Sequence, residues 1–106
     1  MYSFENYIFF SNPKIFGISN YMLYKLKQDE LNYKFVYRNL YRIIMRNNLL
    51  KKKLKNTARK LIVFCSEDNC GSGYDEINVH EKFLDEWLGL NLIGQILMEI
   101  RSHIKS

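Results

Sequence analysis

Lys34, Arg38, Arg42 and Arg46 recur at every fourth position. On a helix that spacing places four cations along one side. Like charges so arranged repel by a few tenths of a kcal/mol per pair. The offset must come from an anionic partner, from the acidic part of the same chain, or from water and salt. The chemistry such a stripe offers is neutralisation of phosphates, with an affinity that falls as salt rises. Tyr37 and Tyr41 lie beside it and can stack on unpaired bases. Lys51, Lys52, Lys53 and Lys55, followed by Arg59 and Lys60, extend the basic track. No zinc-finger ligand set, RNP aromatic motif or KH-type GXXG loop accompanies these residues. The expectation is therefore backbone and stacking contact with RNA or single strands. The plainer alternative is a solvated helix face with tyrosines at its border.

Other residue sets support less. The segment from Cys65 to Glu76, CSEDNCGSGYDE, follows an apolar run, where α/β proteins place ligands. Cys70-Gly71 has the order of a thiol redox site, and a thiolate at a helix start would be activated. No second cysteine stands at the C-x-x-C position, and Pro13 is the only proline. Cys65, Cys70, His80 and His103 supply four zinc-ligand types, but C-x₄-C is at the wide limit and the histidines are far apart. Glu67, Asp68, Asp75, Glu76 and Glu81 could hold Mg²⁺, yet they lack the E-x-K or D-x-D spacing of nucleases. The glycines fit neither phosphate-loop pattern. No catalytic residue, metal site or cofactor is expected, and the chain is read as non-enzymatic.

The net charge of +5 conceals a strong asymmetry. Residues 14 to 60 carry thirteen Lys/Arg against two acids, a balance of +11; residues 61 to 106 carry three against eight, a balance of −5. This segregation predicts a positive face. It equally allows the two parts to neutralise each other, within one molecule or across a homodimer. At 106 residues and 47% hydrophobic composition, a single domain over 1–106 can bury a core. Two cysteines do not make a disulfide scaffold. The opening MYSFENYIFF lacks the pattern of a signal peptide, and LIVFC is far short of a membrane span. A soluble, intracellular (cytoplasmic) protein with no membrane partner is expected. The abundance of Lys, Asn, Ile, Tyr and Phe fits an AT-rich genome such as that of a virus, phage, mobile element or parasite.

The elements that must position the stripe can be read from periodicity. ENYIFF, residues 5 to 10, predicts a strand stopped by Ser-Asn-Pro. Ser19 or Asn20 can cap a helix ending near Gln28. A longer helix is expected from about Asp29 to Asn47. Taking ~100° per residue, Tyr33, Val36, Tyr37, Leu40, Ile43 and Ile44 share an arc of about 120°, with the four cations opposite. Leu31, Phe35, Met45 and Leu49 sit nearer the basic side and offer a second contact. RKLIVFC predicts a strand buried on both faces. Asn78 and Glu81 have capping-box spacing, which predicts a helix over 79–88 ended by Gly89, with Trp87 as a core anchor. Asn91 is expected to cap the last helix, whose core stripe is Ile93, Ile96, Leu97, Ile100 and Ile104.

The order β-α-α-(α)-β-α-α predicts a mostly helical α/β domain with a small parallel two-stranded sheet and four to five helices. The leading functional expectation is a small basic protein contacting nucleic-acid phosphates. The alternative is a protein-interaction module, such as a viral or phage inhibitor or a subunit of a complex, meeting an acidic protein surface.

Overall fold

The structure, a computed structural model, describes residues 6–81 and 87–104. Strand β1 (Tyr7–Phe10) is followed by helices α1 (Asn20–Gln28), α2 (Tyr33–Met45) and α3 (Asn48–Lys55), strand β2 (Leu61–Phe64) and helix α4 (Leu92–Ser102). The two strands pair in parallel, from Tyr7 opposite Leu61 to Phe10 opposite Phe64. The small α/β architecture expected from the periodicities is therefore present.

β2 is apolar throughout because both of its faces are covered. Alternate side chains point to opposite faces of a strand. Ile62 and Phe64 enter the main core with Val36, Leu40, Ile44, Leu54, Ile93, Ile96, Leu97 and Ile100. Val63 and Cys65 enter a second cluster with Val79, against which Tyr7, Phe9, Tyr74 and Trp87 pack. Trp87 is thus half-buried, with its ring 6.2 Å from Tyr7.

Helix boundaries follow side-chain caps. Ser19 Oγ accepts from Met22 N at 3.2 Å and starts α1. The single long helix expected from Asp29 to Asn47 is instead divided. Asp29 Oδ1 accepts from Leu31 N at 2.9 Å and opens a short 3₁₀ turn, Glu30–Asn32, before α2 begins. Asn47 then starts a new helix, accepting from Leu49 N and Leu50 N. The lysine-rich segment is therefore α3, set off from the stripe by a bend.

One expectation near the C-terminal part is corrected, and another, the helix over 79–88, falls in large part outside the described residues. The carboxylate of Asp75 accepts from Asn78 N and Nδ2, both at 2.8 Å, and a 3₁₀ turn, Val79–Glu81, follows. Residues 82–86 lie outside the described residues, and Trp87–Leu90 is not helical. Asn91 precedes α4 but its side chain makes no helix cap. Its Nδ2 donates to Ile62 O at 2.9 Å and its Oδ1 accepts from Phe64 N at 3.0 Å. The carboxamide thus supplies one donor and one acceptor to the outer edge of β2, as a third strand would. Asn91 adopts the left-handed conformation, φ 53°, which asparagine tolerates better than most residues. Gly94 completes the arrangement: a Cβ there would overlap both the Asn91 amide and the Ile62 carbonyl.

Asp68 ties the loop after β2 back to α1, with its carboxylate 3.3 Å from Lys27 Nζ. Burial alone would raise its pKa. The Ser66 hydroxyl, the Cys70 N–H and Lys27 outweigh burial and hold the carboxyl below its usual value. A carboxyl with a depressed folded-state pKa stabilises above its unfolded pKa, about 3.9, and loses that contribution as pH falls through the folded value. The melting-temperature difference between wild type and Asp68→Asn is therefore expected to be largest near neutrality and to close below about pH 4. A difference that does not change with pH would contradict this.

Candidate functional site

α2 is oriented by its buried face. Val36, Leu40 and Ile44 are fully enclosed, so Lys34, Arg38, Arg42 and Arg46 on the opposite arc are all exposed. Ile43, expected in the core arc, stands at its edge and is 39% exposed. α4 packs beside α2, and Ile96 and Ile100 join Leu40 and Ile44 in one cluster. That packing forms a groove of about 290 Å³ between the two helices, lined by Tyr37, Arg38, Tyr41, Arg42 and His103.

The aromatic wall has defined geometry. The Tyr37 and Tyr41 rings are 5.9 Å apart and inclined at 30°. His103, at the C-terminal end of α4, meets Tyr41 edge-on at 6.1 Å. Further along α2, Tyr33 Oη donates to Glu99 Oε2 at 2.9 Å. Burial, then the Glu99 hydrogen bond and charge, raise the Tyr33 pKa; burial followed by Glu99 and Tyr41 raise that of Tyr37. Both phenols are neutral at physiological pH. Tyr37 presents its uncharged π-face in the groove with Arg38 and Arg42, which suits stacking on a flat ring carrying an anionic substituent.

The charges of the stripe are not spent on acidic partners among the described residues. Among the described residues, Lys34, Arg38, Arg42 and Arg46 form no ion pair; the ion pair there is Lys27–Asp68. The described acids look elsewhere. Glu30 accepts from Asn69, Glu76 from Ser11, and Glu99 from Tyr33. Internal neutralisation of the basic helix by the acidic segment is thus not seen among these residues. Lys52, Lys53 and Lys55 are exposed on α3 and Lys51 is half-buried, but none of the four lines the groove.

Among the described residues, the competing residue sets do not converge. Cys70 lies in the main core and Cys65 in the second cluster. Burial pushes the Cys65 thiol up to about 11 and the Cys70 thiol up to about 12, so both stay protonated at neutral pH. His80 packs on Phe9 at 4.4 Å, whereas His103 is in the groove. No group of three or more His, Cys, Asp or Glu side chains comes together among the described residues. No helix of the described residues is long and apolar enough to cross a membrane.

His103 is the groove residue that the sequence offered only as one of four zinc-ligand types. No local signal marks it, because its role depends on how α4 lies against α2. The chain matches no family model, and neither curated proteins nor solved structures show a detectable similarity to it.

Proposed function

We propose that this protein is a non-enzymatic nucleic-acid-binding protein that grips phosphates with the α2 stripe and stacks unpaired bases in the α2–α4 groove. The observation that carries this reading is the groove itself. Two arginines, two tyrosines and a histidine share one concavity, and its cations have no acidic partner among the described residues. RNA or a single strand fits better than duplex, because stacking on Tyr37 and Tyr41 requires a base outside a helix stack. Lys52, Lys53 and Lys55 would add phosphate contacts beyond the groove.

Fluorescence anisotropy with generic single- and double-stranded RNA and DNA tests this reading. Affinity for single strands is expected to fall by an order of magnitude or more between about 50 and 200 mM salt, as several phosphate contacts require. Absence of binding at the lowest salt would overturn it.

A further inference from the structure

α2 has a second aromatic flank. On the side away from α4, Phe35 meets Tyr21 of α1 edge-on at 6.3 Å. The two rings remain 43% and 56% exposed, although Met22, Leu26 and Val36 close the core beneath them. Lys25 Nζ lies 5.5 Å from the Tyr21 ring centre. The basic stripe therefore runs between two aromatic walls: Tyr37, Tyr41 and His103 towards α4, and Phe35 with Tyr21 towards α1.

We propose that the Tyr21–Phe35 ledge, with Lys25, is a second stacking platform for the same strand, which crosses α2 rather than ending in the groove. This rests on the nucleic-acid reading above. The ledge is continuous with the stripe and shares its positive charge through Lys25 and Lys34, which matches a polyanion carrying flat rings. The two platforms flank one helix, roughly 10–12 Å across. A stacked strand advances about 3.4 Å per nucleotide, so about three nucleotides separate them, with their phosphates over Arg38 and Arg42. A dinucleotide reaches one platform, and about six nucleotides reach both.

The test uses end-labelled oligothymidylates of about 2 to 10 nucleotides, bracketing the site sizes of single-strand binders, at about 50 mM salt. Wild-type affinity is expected to step upward between about four and about six nucleotides. The Tyr21→Ala/Phe35→Ala double variant removes the step, weakening the longest oligonucleotide about 10-fold or more and leaving the shortest unchanged. Tyr21→Leu/Phe35→Leu, which retains apolar bulk without a π-face, gives the same result while keeping the packing beneath the ledge. A step that persists in both variants would overturn the ledge while the groove reading stands. Failure of wild type to bind any length would overturn both.

Discussion

Asn91→Ala is expected to destabilise the protein by about 3 kcal/mol and to lower its melting temperature by roughly 12–24 °C. The side chain is buried and bonds two backbone groups of the central strand, Ile62 O and Phe64 N. Each stranded buried polar group costs about 1–3 kcal/mol. Water cannot readily take the place of the amide, because Gly94 and the start of α4 close over it. The loss is large against the total stability of about 5–15 kcal/mol expected of a domain. Asn91→Asp retains the acceptor for Phe64 N but sets an oxygen against the Ile62 carbonyl. Its destabilisation is expected to grow as pH rises and the carboxyl ionises. Chemical denaturation of the three proteins decides the matter. A cost under about 1 kcal/mol for Asn91→Ala would mean that the β2 edge is satisfied in another way.

What could be read from sequence was local. The LIVFC run identified β2 and its two buried faces, because continuous apolarity over strand length has few other solutions. The period of Val36, Leu40 and Ile44 fixed the inner face of α2 and therefore the exposure of the cations. What could not be read depended on distant partners. Asn91 looks like a helix cap because asparagine often is one; its use by β2 needs the strand edge 27 to 29 residues earlier. Asp75 Oδ1 accepts both N–H donors of Asn78, a short-range contact that the capping-box spacing did not suggest. His103 entered the groove through the packing of α4 on α2, and Tyr21 met Phe35 through the packing of α1. No spacing within one helix encodes either contact.

Arg38→Glu/Arg42→Glu is expected to lower affinity for a single strand by at least about 100-fold at ~50 mM salt, with the fold unchanged. Both residues are exposed, line the groove and make no ion pair among the described residues. Reversal removes two attractive charges and adds two repulsive ones where phosphate must sit. Stability should shift by no more than about 0.5 kcal/mol, as for other surface substitutions. The circular-dichroism melt checks the fold, and anisotropy checks binding. Affinity within a few-fold of wild type would separate the stripe from nucleic-acid binding and direct attention to an acidic protein partner.

The most direct measurement compares salt dependence in wild type and in Arg38→Gln/Arg42→Gln. Removing one cation from a phosphate makes the slope of log affinity against log salt shallower by about one. If Arg38 and Arg42 each hold a phosphate, the slope of the neutral variant is shallower by about two. Parallel slopes would contradict the account, because the cations of the groove would then hold no phosphate.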